Sequence, residues 1–180
     1  MLQLTHLLFI FLFGNCLCFQ DDYYWREYTD GEVPVDAIVG GQNSEGINIY
    51  IGQAYIKDRG IIVTEIFAGI QEVYVPMSGE AVKTAEVIKI LCGPEQNLYW
   101  ASTNSTSVHS LLVNRDAVIG GHEYGKKDSD AHGILHIGKN KAQNKIGKIP
   151  IFEKDPQFYF SDNLKESTAT TFEILLYKKN

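Results

Sequence analysis

Asp36-Ala37-Ile38-Val39-Gly40-Gly41 and Asp116-Ala117-Val118-Ile119-Gly120-Gly121 are one pattern written twice, 80 residues apart. Other landmarks flank both copies. Tyr24-Trp25 returns as Tyr99-Trp100, Tyr50-Ile51-Gly52 as His136-Ile137-Gly138, and Thr84-Ala85-Glu86-Val87 as Thr171-Phe172-Glu173-Ile174. The shift grows along the chain, but the order of landmarks never changes. Chance gives one such match, not four in sequence. The chain therefore predicts two diverged tandem copies of one unit, residues 23–93 and 98–178. The second copy carries insertions, mainly before Val113 and after Gly121.

Each copy reads as strands. Ile47 to Tyr55 alternates partly with period two, and Ile61 to Phe67 follows after an Asp58-Arg59-Gly60 turn. Glu72 to Pro76 is a third strand. Ala81 to Leu91 is ambiguous with a helix; its partner stretch, Thr170 to Tyr177, is β-branched and aromatic, which favours a strand. The paired glycines fit turns or close backbone contacts. One copy alone buries only part of its sheet. The expected fold is all-β: antiparallel sheets from both copies, packed face to face as one pseudo-symmetric, sandwich-like domain.

The bulk numbers agree. The 180 residues are 44% hydrophobic, with ten Tyr and nine Phe, a globular composition. The formal net charge is −6, and no dense Lys/Arg stripe is present, which argues against nucleic acid and against anionic membrane as partners.

The first residues stand apart. Leu7 to Phe13 is an unbroken apolar run, too short to span a bilayer, and no Asp, Glu, Lys or Arg precedes Asp21. It fits a secretory signal cut after Cys18, so residues 1–18 are expected to be removed and the chain secreted. The alternative is an uncleaved membrane anchor. With Cys16 and Cys18 gone, only Cys92 remains, in the apolar stretch Ile90-Leu91-Cys92-Gly93. One cysteine makes no internal disulfide; a buried thiol is expected, with an intermolecular bridge as the alternative. Asn104-Ser105-Thr106 is an N-glycosylation sequon in a polar run, and makes Asn104 the candidate glycan acceptor.

The ordered landmarks resemble a known family, the DM-nine repeat, which also occurs in an oyster mannose-binding lectin and in natterin-like proteins. Its pattern opens on an aromatic-Trp pair and continues through Pro-x-x-Ala-Val-x-Gly-Gly and Tyr-Val-Gly-Arg-Ala to a closing Tyr-Glu-Val-Leu strand. Here Trp25, Pro34 to Gly41, Glu45-Gly46, Tyr50 to Ala54 and Ala85 to Ile88 match it in order. The resemblance runs from Tyr23 to Lys178. It implies an all-β fold and sugar recognition. In the mannose-binding relative the sugar contacts are an acid after Gly-Gly and the Lys of Pro-Gly-Lys-Val. The matching positions are Asn43 and Glu65 in the first copy, where the lysine has become an acid. In the second copy they are Glu123 and Lys148, where the acid–base pair survives. Asp128 or Asp130 are alternatives to Glu123. A carboxylate accepts hydrogen bonds from vicinal hydroxyls and an ammonium donates to oxygens, so the chemistry suits a sugar. The ordinary alternative is a solvated surface pair worth little.

Trp25 and Trp100, at the repeat starts, read first as core packing and second as sugar platforms. His132 and His136 lie on a strand-like stretch, which would hold them about 13 Å apart, too far for one metal ion. No signature of a hydrolase, nucleotide-binding enzyme or metalloprotease appears, so neither catalysis nor a cofactor is expected. The expectation is a secreted, lectin-like glycoprotein of innate recognition, binding glycans or glycoproteins through Glu123, Lys148 and Asn43. Dimers would gain avidity. The alternative is an extracellular protein-interaction module without sugar binding, marked by an exposed apolar patch.

Overall fold

A computed structural model describes residues 23–125 and 132–178. The expected signal at residues 1–18, with Cys16 and Cys18, and the alternative site residues Asp128 and Asp130 lie outside the described residues. Among those described, the protein is nearly all β. The first half forms β1 (Tyr24–Glu27), β2 (Val39–Gln42), β3 (Asn48–Ile56), β4 (Gly60–Ile66), β5 (Val73–Met77), β6 (Glu80–Thr84) and β7 (Ile88–Cys92). The second half begins with β8 (Leu98–Asn104) and a five-residue helix, α1 (Val108–Leu112). It continues through β9 (Asp116–Ala117), β10 (Ile119–Glu123), β11 (Gly133–Asn140), β12 (Lys145–Pro150), β13 (Phe158–Asp162), β14 (Lys165–Ala169) and β15 (Thr171–Tyr177). All ladders are antiparallel, and they join into one continuous hydrogen-bonded network. The expected all-β fold of antiparallel strands is present, and the ladders of both halves belong to one hydrogen-bonded sheet.

The two halves use matching pairings. β2 pairs β3 with a register shift between Val39 and Gly41, and β10 pairs β11 with a register shift between Ile119 and Gly121. β1 pairs β7 with Trp25 opposite Leu91, and β8 pairs β15 with Trp100 opposite Leu175. β3 changes partner along its length, from β2 to β7, at Gly52 opposite Ile90; β11 does the same, from β10 to β15, at Gly138 opposite Ile174. These pairings match Ile88–Cys92 with Phe172–Leu176. The matching of Thr84-Ala85-Glu86-Val87 with the β15 stretch is thus three residues out of register. The reason is a break in the ambiguous segment: β6 ends at Thr84, and Val87 turns with φ at 46° before β7 begins.

Two seams hold the halves together. β4 pairs β10, with Ile61 opposite His122 and Gly60 opposite Glu123. At the other seam β12 comes back beside β2, where Ile146 packs on Gly40. The central core cluster joins Ile38, Ile49, Ile51, Val63 and Leu91 of the first half to Val118, Ile137, Ile146 and Leu175 of the second. It is built around the paired glycines. A Cβ on Gly40 would meet Ile51 and Ile146 at 2.9 Å, and one on Gly120 would collide with Val63 and Ile137. Each Gly-Gly therefore lets one isoleucine of its own half and one branched side chain of the other approach the backbone. Two further clusters lie around Ile62, Ile66 and Ile90, and around Phe158, Phe160 and Phe172.

Candidate functional site

Lys148 follows two residues after Ile146 on β12, so its side chain shares the face that Ile146 turns into the central cluster. Its side chain is 4% exposed. A buried ammonium is costly unless paired, and here the pairs are supplied by strands distant in sequence. Lys148 Nζ donates to Glu123 Oε2 at 2.8 Å and lies 3.4 Å from Glu166 Oε1. The Tyr159 ring, opposite Lys148 on β13, has its centroid 5.6 Å from the same nitrogen. The expected pairing of Glu123 with Lys148 is present, and it is an almost fully desolvated ion pair rather than a solvated surface one.

Glu123 is also held from the first half. Arg59, in the turn between β3 and β4, donates from Nη2 to Glu123 Oε1 at 3.0 Å. Its Nη1 donates to Ser78 Oγ at 3.0 Å, and its Nε to the Tyr124 carbonyl at 3.2 Å. The turn is tight because Asp58 and Gly60 both take positive φ. Gly60 is required there, since a Cβ would run into the His122 carbonyl across the seam. Glu166 is fixed through Oε2, which accepts the Gly79 N–H at 2.7 Å. Among the described residues its Oε1 is buried with no hydrogen-bond partner, and Lys148 Nζ is its ion-pair partner.

Glu123, Lys148 and Glu166 line an open pocket of about 200 Å³, together with Ser78, Pro150, Phe152, Glu153 and Tyr159. Burial pushes the Tyr159 phenol up to about 12, helped by the charges of Glu153, Glu166 and Glu123; the phenol stays neutral and donates to Glu153. Burial also raises the Glu153 carboxyl above the usual carboxylate range, with Glu123 and Glu166 adding to it and Lys148 and the Tyr159 hydrogen bond pulling back. The arrangement offers carboxylate acceptors, a phenol and an ammonium within one concavity floored by Pro150 and Phe152. That set suits a small polyol.

The first-copy positions form no such site. Asn43 spends its side-chain oxygen on its own loop, accepting the Glu45 and Ile47 N–H groups at 2.9 Å each. Glu65 instead accepts the Ile146 N–H at 2.9 Å at the seam between β12 and β2, with Lys145 Nζ 3.7 Å away. Burial raises its carboxyl in spite of Lys145. Asn43 and Glu65 thus have separate structural duties, one in a loop and one in a seam.

Sequence reasoning located Glu123 and Lys148 but missed Arg59, Glu153, Tyr159 and Glu166. Arg59 read only as part of a turn. No local spacing ties these residues together, because each arrives from a different element.

The other candidates fall as follows. Cys92 is fully buried, and burial pushes its thiol up to about 11. Trp25 and Trp100 are half-buried against the central cluster. Trp25 Nε1 donates to the Ile119 carbonyl at 3.3 Å, and Lys139 Nζ stands 4.3 Å over the Trp100 ring. Asn104 is exposed at the end of β8, and its side-chain oxygen accepts the Thr106 and Ser107 N–H groups ahead of α1. The His122 and His132 rings are 6.4 Å apart. Among the described residues no group of three metal-binding side chains gathers, and no helix is long and apolar enough to cross a membrane.

Fold and pocket together define an all-β protein with a buried acid–lysine pair opening into a small polar concavity. The family model of the DM9 repeat matches residues 15–83. No curated protein matches the chain.

Proposed function

We propose that this is a secreted carbohydrate-binding protein whose sugar site is the Glu123–Lys148 pocket. One observation carries the reading: a lysine and an acid from different strands meet at 2.8 Å inside a concavity that also presents Glu153, Tyr159 and Glu166. Burying such a pair brings no clear gain in stability over an apolar packing, which favours a binding role for it. The DM9 repeat supports the same reading by analogy. The net charge of −6 keeps nucleic acid out of the ligand list. Export through the leader at residues 1–18, glycan attachment at Asn104 and a place in innate recognition complete the proposal.

A glycan array tests it. Retention of neutral saccharides, lost in Tyr159→Phe and in Lys148→Ala variants that keep the native near-ultraviolet circular dichroism, is the expected result. Failure of the intact protein to retain any saccharide, even when artificially multimerised, overturns it.

An interaction-module reading has one observation in its favour. Tyr55, Ile61, His122 and Ile134 are paired in a row across β3, β4, β10 and β11, and Tyr55, Ile61 and Ile134 are each more than a third exposed. Tyr124, 54% exposed, stands beside His122. Such an apolar row suits contact with a second protein surface, including a second copy that would give avidity. Sedimentation at rising concentration checks the self-association form: a dimer lost in Tyr55→Ser supports it, and a monomer throughout removes it.

A further inference from the structure

The pocket carries more negative than positive charge, and its carboxylates are unevenly satisfied. Three carboxylates line it: Glu123, Glu153 and Glu166. Among the described residues two cations answer them, Lys148 from the lining and Arg59 from behind Glu123. Both Glu123 oxygens are paired, Oε1 with Arg59 and Oε2 with Lys148. Glu166 is less completely paired. Its side chain is 8% exposed, its Oε2 holds the Gly79 N–H, and its Oε1 has no hydrogen-bond donor among the described residues. Lys148, at 3.4 Å, already donates its short bond to Glu123. Glu153 lines the same pocket, half-buried, with the Tyr159 phenol as its side-chain donor. A buried acceptor left without a donor costs on the order of 1–3 kcal/mol, more when charged, so a ligand that brings a donor recovers that cost.

Resting on the proposal that this pocket binds sugar, we infer that its preferred ligands are saccharides bearing a free, protonated amine. An ammonium brings three donors and one positive charge. It meets Glu166 Oε1 and Glu153 with charge-assisted hydrogen bonds, while the remaining sugar hydroxyls reach Tyr159 and Ser78. An N-acetylated sugar brings only one amide N–H and no charge. A uronic acid or sulfated sugar places a further negative charge beside three carboxylates.

The test compares a deacetylated glucosamine oligosaccharide with its fully N-acetylated counterpart, a neutral mannose oligosaccharide and a galacturonic acid oligosaccharide. All are titrated into the intact protein at about pH 7 by calorimetry. The amine-bearing ligand is expected to bind about tenfold or more tighter than its acetylated counterpart, and the uronic acid not at all. Glu166→Gln and Glu153→Gln are each expected to erase most of that preference. Glu45→Gln, which removes an exposed carboxylate in the loop before β3, is expected to leave it intact, separating the pocket from the general pull of an acidic protein on a cation. Equal binding of amine and acetylated ligands, or a preference unaffected by Glu166→Gln and Glu153→Gln, overturns the inference and leaves the lectin reading standing. Absence of binding by all four ligands overturns both.

Discussion

Glu65 and Lys148 stand at matching pairing positions in the two halves and do different work. Glu65 serves the backbone, accepting the Ile146 N–H from 2.9 Å away. Its carboxyl is raised by burial above its ordinary value, so the folded state holds that proton more tightly than the unfolded chain does. The sign follows: stability is greatest below the unfolded carboxylate range and falls as pH rises through the folded value. Glu65→Gln keeps an acceptor without the charge and is expected to raise the melting temperature near neutral pH. Glu65→Ala orphans the Ile146 N–H and is expected to cost about 1–3 kcal/mol in urea unfolding. His136 works the other way. Its Nδ1 lies 2.9 Å from the Val118 carbonyl, and burial lowers its basicity against the smaller pull of that bond. The unfolded chain therefore takes up the proton first, and stability is lost as pH falls from about 6.5 through the lowered folded value. Melting curves across that window are expected to slope downward on acidification, and His136→Gln is expected to flatten them.

At the scale of elements, the paired glycines carry the argument. Gly41 and Gly121 hold the same position in the two copies but face different neighbours. A Cβ on Gly121 would strike the Ile61 carbonyl on the adjoining strand, whereas one on Gly41 would meet only Lys139 Cδ at 4.0 Å. Gly121→Ala is expected to destabilise by about 1–3 kcal/mol or more, because β10 must move away from β4, and Gly41→Ala to fall within about 0.5 kcal/mol of the native protein. Chemical denaturation of the two variants side by side checks the contrast. The glycines, the Trp starts and the strand stretches were legible because they follow local pattern: doubled Gly, alternation, β-branching. The closing strand was not. Val87 breaks the run from Ala81 to Leu91 with a positive φ that a β-branched residue rarely takes, and nothing in its neighbours announces it. The pocket was half legible. Glu123 and Lys148 sit beside recognisable motifs, whereas Glu166 comes from β14 and Arg59 backs Glu123 from the β3–β4 turn, elements that meet only in the folded chain.

For the whole molecule, the decisive fact is that the central cluster belongs to neither half. Val63 needs Gly120, and Ile146 needs Gly40. A fragment of residues 23–93 would expose Ile51, Val63 and Leu91 to water and is expected not to fold by itself; its circular dichroism should lack a cooperative transition. The intact chain is expected to unfold in one calorimetric step with matching calorimetric and van't Hoff enthalpies. Two resolved transitions would show independent halves. The two joins between the halves are nevertheless unlike. One is a ladder between β4 and β10, a row of bonds that must break together. At the other, Glu65 receives one amide, that of Ile146. A clasp of that kind can release without the rest of the structure following, so deuterium should reach the Ile146 amide through a small local opening, well before it reaches the amides of β3 and β11. The molecule then has a hinge side and a latch side, and its breathing has a direction.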